Sequence, residues 1–312
     1  MRRRDFLATA GLAVGLAVAP AWGQERLPVV ATFSILGDIT ARIGGERIAV
    51  RTLVGPGGDA HTYQPSPADA RAVAQARLLV ANGLGMEGWI DRLARASGFK
   101  GQLVVASAGV AAQTMTEEEE EGGVGRMQRK RVKPTVVSDP HAWQSLANGD
   151  RYARNIAEAL IQIDPAGAET YRANYAAYSA ELAALDAWVR GEIAGVPAAK
   201  RRIITSHDAF GYFGTAYGIE FLAPVGISTE AEPSAADVAR LIRQIREQGV
   251  KAIFVETITD SRLVEQIARE AGGVVGGNLY SDSLSQAGGP ADSYVKMFRY
   301  NVATMKVGML RN

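Results

Sequence analysis

Residues 48–82 read IAVRTLVGPGGDAHTYQPSPADARAVAQARLLVAN, and this stretch decides the fold class. The apolar run Ile48–Val54 predicts a strand, Pro67–Arg77 predicts a helix, and Leu78–Asn82 predicts a second, buried strand. Ser66 followed by proline is typical of a helix start, because serine caps the first turn and proline suits the first helical position. A strand, a helix and a strand in this order predict a parallel strand pair with the helix against the sheet.

The same alternation extends to both sides of this unit. Strands are predicted at 29–35 and 103–106, and helices at 37–43 and 86–96. A second series follows residue 200, with strands at 202–205, 220–225, 252–256 and 274–279 and helices at 210–217, 235–248, 261–271 and 290–308. The pattern therefore predicts an α/β protein with two lobes, each a mostly parallel sheet flanked by helices.

Between the two series, residues 149–163 and 166–194 are rich in alanine and have helical apolar spacing. A helix of about 28 residues is about 40 Å long, enough to run along both lobes as a stiff connector. We therefore expect an N-terminal lobe at 24–165, a connecting helix at 166–195 and a C-terminal lobe at 196–312.

Residues 1–23 are predicted to be an export signal. Arg2–Arg4 precede an apolar run, Ala8–Ala19, that is too short to span a bilayer, and Ala21-Trp22-Gly23 is a small-x-small cleavage pattern. The sequence Arg3-Arg4-x-Phe6-Leu7 is similar to a twin-arginine signal, and an ordinary Sec signal is the alternative. Either route predicts a mature protein outside the cytoplasm of a bacterium.

The composition excludes several classes of function. Of 312 residues, 47% are hydrophobic, and 34 basic residues balance 33 acidic ones, so no excess of positive charge is available for nucleic acid. Cysteine is absent, which excludes disulfides, thiolate metal sites and cysteine nucleophiles. Three histidines are present, so any chemistry that uses imidazole depends on them.

Residues 114–133 form a stretch of low complexity, in which five consecutive glutamates are followed by glycines and then by basic residues. Such blocks of charge are usually solvated and mobile. The functional alternative is a flexible lid beside a binding site.

The histidines stand where ligands gather in an α/β fold. His61 follows the strand 48–54 through a glycine-rich turn, and His207 directly follows the strand 202–205. His141 lies in SDPHAW ahead of a helix, and Asp282 follows the last strand. Ligands bind beyond the carboxyl ends of parallel strands, so these four side chains can converge from two lobes on one cleft. A single histidine is usually a packing residue, but the joint placement favours a metal site.

At these positions the sequence resembles the cluster A-I (cluster 9) family, the solute-binding proteins of zinc and manganese ABC importers. The resemblance implies that His61, His141, His207 and Asp282 coordinate one metal ion in a cleft between lobes joined by one long helix. It also implies an ABC permease and its ATPase as partners. Zinc members often carry a histidine-rich loop where 114–133 has no histidine. The motifs that carry the resemblance are VVATFSI (29–35), DAHTYQPSP (59–67), DPHAW (139–143), SHDAF (206–210), EAEPS (230–234) and YSDS (280–283).

Ligand type predicts the metal. Imidazole nitrogen suits Zn²⁺, whereas manganese prefers more oxygen, and family members that bind manganese commonly have a glutamate at the position of His207. Three imidazoles and one carboxylate fill a tetrahedron, which favours holding the ion over hydrolysis. We therefore expect a periplasmic, monomeric zinc receptor that is not an enzyme and takes one Zn²⁺ per chain. A periplasmic zinc metallochaperone is left open as donor.

Other functions compete with this interpretation. The metal could be manganese or iron, or the same histidines could serve a zinc-dependent hydrolase with Asp282 as base. Gly83-x-Gly85-x-x-Gly88 matches a dinucleotide fingerprint, for which a tight turn is the simpler explanation. Among other carboxylates, Asp59 is expected to bind backbone groups. Glu256 either orients a ligand or accepts from a backbone group or hydroxyl.

Overall fold

The computed structural model describes residues 25–117, 135–230 and 233–312. The predicted signal, residues 1–23, and residues 118–133 of the charged stretch lie outside these ranges. The first half of the chain builds an all-parallel sheet in the order β2-β1-β3-β4. Its strands and helices are β1 (Leu27–Phe33), α1 (Ser34–Gly44), β2 (Ile48–Val54), α2 (Pro67–Gln75), β3 (Leu78–Ala81), α3 (Ile90–Ser97) and β4 (Gln102–Val105).

The second half builds another parallel sheet, in the order β10-β9-β7-β8. The predicted α/β class with two sheets and flanking helices is confirmed. The elements are β7 (Arg202–Ile204), α6 (Gly211–Tyr217), β8 (Glu220–Leu222), α7 (Ala235–Gln248), β9 (Ile253–Glu256), α8 (Ser261–Ala271), β10 (Val275–Leu279) and α9 (Tyr294–Met309).

In the sequence, a hairpin and two helices lie between the strands of the first sheet and those of the second. Strands β5 (Thr114–Glu117) and β6 (Thr135–Ser138) pair antiparallel, so the first residues of the predicted charged loop form a strand instead. Helix α4 spans Leu146–Ile163, and α5 spans Ala168–Ala194. The 27 residues of α5 make the predicted long helix, which packs against α4, α1 and α9. Domain boundaries at 165/166 and 195/196 stay a prediction.

Some element boundaries differ from those predicted. Helix α1 begins at Ser34, because the apolar residues that follow it, such as Ile35 and Leu36, are buried on the face of a helix and do not extend the strand. Helix α3 begins at Ile90 instead of residue 86, because the buried side chain of Glu87 folds back into the preceding turn. The last helix begins at Tyr294, four residues later than predicted.

The apolar core joins the two sheets. One buried cluster runs from the N-terminal sheet through α4, α5 and α9 to the inner face of the C-terminal sheet, where Ile203 and Phe254 belong to it. A second cluster fills the outer face of that sheet under α7 and α8, and includes Ile204 and Ile253. No helix within the described ranges is both long and apolar enough to cross a bilayer.

Candidate metal centre

The structure brings the three histidines and Asp282 together from four separate loops. His61 lies in the loop after β2, His141 after β6, His207 after β7 and Asp282 after β10. One nitrogen or oxygen from each of the four side chains lies within 4.8 Å of the others. The carboxyl ends of the two sheets thus face one another, and the predicted convergence of these side chains is present.

The donor atoms point at one another. The Nε2 atom of His141 lies 3.2 Å from that of His61 and 3.4 Å from that of His207. Oδ2 of Asp282 lies 3.3 Å from the Nε2 atoms of both His61 and His207, and 3.6 Å from that of His141. Three imidazole nitrogens and one carboxylate oxygen therefore enclose a single small space.

Asp282 is fully buried, and its carboxylate oxygens make no hydrogen bond of good geometry within the described residues; the nearest polar atoms to Oδ2 are the three imidazole Nε2 atoms. A buried carboxylate without a donor costs several kcal/mol unless a positive charge compensates it. The facing His141 and His207 are also fully buried, so water does not supply that compensation. The donor set and the orphaned carboxylate both fit a bound cation.

Two of the imidazoles have a buried carboxylate behind them. Oδ1 of Asp139 accepts the backbone N–H of His141 at 2.9 Å and lies 2.8 Å from Nδ1 of the same residue. Oε1 of Glu256 accepts the backbone N–H of His207 at 2.8 Å, and its Oε2 lies 2.6 Å from Nδ1 of His207. A carboxylate at Nδ1 keeps the proton there and leaves Nε2 free to bind a metal.

The charged groups of the site shift the pKa values of their neighbours in the direction opposite to the shift that burial causes. Burial alone would lower the pKa of His141, but Asp282 and Asp139 outweigh it and raise the pKa to about 9. Burial likewise lowers the pKa of His207, and Glu256 and Asp282 together raise it well above its usual value. Burial raises the pKa of Asp282, and the two imidazoles hold it well below its ordinary range. Without metal, protons on His141 and His207 balance the carboxylates.

His61 differs from the other two histidines because it borders a cleft. Its side chain is 6% exposed and lines an opening of about 470 Å³ that also touches Met86, Ile227 and Glu230. Oδ1 of Asp59 accepts the backbone N–H of His61, as expected for a backbone role. Its Oδ2 also accepts from the hydroxyl of Thr229, at 2.6 Å.

The glycine-rich turn after β3 does not bind a dinucleotide phosphate. Gly83 and Gly85 have φ values of 83° and 86°, as a tight turn requires. The carboxylate of Glu87 accepts the backbone N–H groups of Asn82 and Gly83 and the hydroxyl of Thr32. An acidic side chain thus occupies the place where the fingerprint would hold a phosphate.

The structure assigns roles to two carboxylates beside the histidines. The sequence predicts no separate role for Asp139, and its position two residues before His141 is the available signal for a carboxylate that accepts from that histidine. For Glu256 the sequence predicts two alternative roles, and the structure supports both, because it contacts Nδ1 of His207 and accepts a backbone N–H. Glu230 borders the cleft, and Glu232 lies outside the described ranges.

Two parallel α/β sheets, one long connecting helix and a buried N₃O pocket between them define a metal-binding receptor of the two-lobed type. Comparison with known sequences agrees. The chain belongs to the ZnuA family, described as the periplasmic component A of the zinc-uptake complex, whose profile matches residues 29–308. It is a metal-binding substrate-binding protein of an ABC importer.

Individual relatives carry different metals in their names. The manganese-binding lipoprotein MntA of Halalkalibacterium halodurans is 31% identical over 91% of this chain and 89% of its own length. The iron-binding protein YfeA of Yersinia pestis is 32% identical over 97% of this chain and 92% of its own. The structure of the periplasmic zinc-binding protein TroA from Treponema pallidum superimposes with a TM-score of 0.80 at 28% identity, covering 92% of this chain and all of TroA.

The family also decides between receptor and enzyme. Its members are substrate-binding proteins of ABC transporters, so the zinc-hydrolase alternative and the dinucleotide-dependent enzyme that the glycine fingerprint would indicate are both wrong. The structure gives a physical reason why the zinc-hydrolase alternative is wrong. The four donor side chains already enclose the space, whereas a catalytic zinc ion keeps a position open for water.

Proposed function

We propose that this protein captures Zn²⁺ outside the cytoplasm and delivers it to an ABC permease that is driven by its ATPase. One ion binds per chain, and the ligands are Nε2 of His61, His141 and His207 and Oδ2 of Asp282. The buried carboxylate of Asp282, which faces three Nε2 atoms, carries this proposal. All four ligands come from one chain, so a monomer is sufficient for binding.

The size of the donor cage supports zinc. A Zn²⁺ ion bonded at about 2.0–2.1 Å to four donors in a regular tetrahedron separates those donors by about 3.3–3.4 Å. Five of the six distances between the donor atoms are 3.2–3.6 Å and all six lie within 4.8 Å, so the cage can accommodate a tetrahedral Zn²⁺ ion. Neutral imidazole is also a better ligand for zinc than for manganese, which takes more oxygen.

Manganese or iron is the second candidate, favoured by the names of the relatives MntA and YfeA. A specific feature of the site bears on this choice. Oδ1 of Asp282 is buried without a hydrogen bond, so it can supply a second oxygen to an ion that takes five or more ligands. Zinc requires the Oδ2 atom alone.

The predicted signal peptide and the description of the family as periplasmic support a periplasmic location. Several relatives are named lipoproteins. The 312 residues of this chain contain no cysteine, so they have no thiol to which a lipid could be attached. In this proposal the mature protein is therefore free in the periplasm, and a periplasmic metallochaperone remains open as its donor.

The metal is identified by elemental analysis of protein that is purified without chelator and then offered equal amounts of Zn²⁺ and Mn²⁺. We expect one zinc ion per chain and little manganese. The variant Asp282→Asn should lose the metal. Asp91→Asn is the matched control, because Asp91 is exposed in the first turn of α3 and removes the same charge away from the site. Preferential loading with manganese, or equal loss in both variants, would contradict the proposal.

A further inference from the structure

The segment that carries Asp282 is bonded to the opposite half of the molecule. It follows β10 of the C-terminal sheet, yet the backbone carbonyl of Ser281 accepts from Nε1 of Trp143 at 3.0 Å and from Nε2 of Gln144 at 2.8 Å. Trp143 and Gln144 lie two and three residues after His141. The loop that holds Asp282 is therefore fixed to the loop that holds His141.

The same segment is also fixed to the N-terminal lobe. The hydroxyl of Ser283 accepts the backbone N–H of Gly57 at 2.6 Å, in the loop that leads to His61. Ser34, in the first turn of α1, lies 3.2 Å from this hydroxyl through its own Oγ and accepts the backbone N–H of Leu284. Gln286 donates to the carbonyl of Pro56. His61, His141 and Asp282 thus share one hydrogen-bonded frame, the three-ligand frame.

His207 is held differently. Its backbone N–H donates to Glu256 at the end of β9, and it forms a parallel bridge with Val225. The next residue, Asp208, donates its backbone N–H to Gly226. These partners belong to the C-terminal sheet and the loop that follows β8. His207 meets the three-ligand frame through its Nε2 atom, at His141 and Asp282.

One hydrogen bond joins the loop after β8 to the three-ligand frame beside the metal site. The hydroxyl of Thr229 donates to Oδ2 of Asp59 at 2.6 Å, while Oδ1 of Asp59 accepts the backbone N–H of His61. Opening between His207 and the frame must break this bond. The contacts of Ser283 with Gly57 and Ser34 lie within the frame and survive such an opening.

We propose that, when the metal enters or leaves, three of its ligands stay together and the fourth separates from them. His61, His141 and Asp282 remain together, and His207 leaves with Glu256 and the C-terminal sheet. The hydrogen bond from Thr229 to Asp59 is the latch that resists this movement beside His61, and the bond from the hydroxyl of Tyr212 in α6 to the carbonyl of Asp139 resists it beside His141. The inference rests on the proposed metal-receptor function, and it assigns a role to Asp59 and Thr229 that does not depend on which divalent ion is bound.

The absence of native cysteine makes crosslinking a clean test. In the double variant Asp59→Cys/Thr229→Cys, oxidation with glutathione disulfide forms a disulfide in place of the latch hydrogen bond. The matched variant Ser34→Cys/Ser283→Cys places a disulfide inside the frame, where the two hydroxyls lie 3.2 Å apart. Thiol titration confirms that each crosslink has formed, and stopped-flow mixing with excess chelator measures the rate of metal release.

We expect the latch disulfide to slow release by at least about tenfold, because it holds the closed state. The frame disulfide should leave the rate within about twofold of wild type. Equal slowing by both would show that Asp282 leaves with the C-terminal lobe, and an unchanged rate in the latch variant would show that the cleft does not open there. Either result overturns the inference alone. A wild-type chain that binds no metal overturns the proposed function as well.

A single substitution tests the latch without any crosslink. Thr229→Val removes one hydrogen bond and should speed release by about two- to tenfold, since a net hydrogen bond contributes about 0.5–1.5 kcal/mol. Thr229→Ser retains the hydroxyl and should restore the wild-type rate. Thr257→Val is the matched control, because the hydroxyl of Thr257 is buried without a partner in the described structure. Release that is unchanged in Thr229→Val would contradict the latch.

Discussion

Changing a carboxylate to an amide should have unequal effects behind His207 and behind His141. Glu256 uses both of its oxygens, Oε1 for the backbone N–H of His207 and Oε2 beside Nδ1. Asp139 uses Oδ1 for both groups of His141. An amide has one accepting oxygen and one donating nitrogen, so it can replace Asp139 without a mismatch but cannot replace Glu256.

The expected loss of zinc affinity follows from the number of oxygens that each carboxylate uses. In Glu256→Gln, the amide nitrogen faces either the backbone N–H of His207 or its Nδ1 proton, and each arrangement sets two donors against each other. We expect zinc affinity to fall by about 10–100-fold, or about 1.4–2.7 kcal/mol, as for the loss of a group that orients a ligand. In Asp139→Asn, the carbonyl can take the place of Oδ1, so the loss should stay below about tenfold.

Both substitutions remove one negative charge near the ion, so the difference between them isolates the hydrogen-bond pattern. Competition with a zinc chelator at neutral pH gives the two dissociation constants, and circular dichroism confirms that both variants fold. Equal losses of affinity, or a larger loss in Asp139→Asn, would refute the reasoning about which oxygens the two histidines use.

Four further results are expected. The carboxylates raise the pKa of His141 to about 9 in the metal-free chain, so a proton competes with zinc below that value; affinity should rise from about pH 7 to about pH 9, and a flat titration would contradict this. The stability of the metal-free protein should change in the opposite direction with pH. Protonated His141 stabilises the metal-free fold fully below about pH 6.5, and this stabilisation is lost as the pH rises through about 9. His61→Ala should weaken zinc binding by more than about 100-fold, whereas deleting residues 118–131 should cost far less; chelator competition on both proteins measures this, and equal losses would place the loop in the site. Gly101→Ala should lower the free energy of unfolding by about 1–3 kcal/mol in urea, because a Cβ there would lie 2.6–2.7 Å from two backbone carbonyls; Gly88→Ala, with no atom near its Cβ position, should change it little.

Much of the fold was readable because its signals are local. The capping serine, Ser66, accepts from the backbone N–H of Asp69 as a helix start requires, and Asp69 returns the bond to the backbone N–H of Ser66. The apolar runs of the parallel strands and the periodic spacing of α5 likewise lie within single segments. The hairpin of β5 and β6 was missed, because its strands are short and are separated by a block of charged residues.

For the site, the sequence by itself determined the donor types, since a chain with three histidines and no cysteine has few ways to bind a transition metal. It also placed each donor after a strand or before a helix. Only the tertiary structure decided which carboxylates stand behind the histidines and that the loop of Asp282 is fixed to the N-terminal lobe. The hydrogen bond between His207 and Glu256 joins residues 49 apart, and the contact between Ser34 and Ser283 joins residues 249 apart. Such contacts leave no periodicity or spacing in the sequence, because they form only when two distant segments have packed against each other.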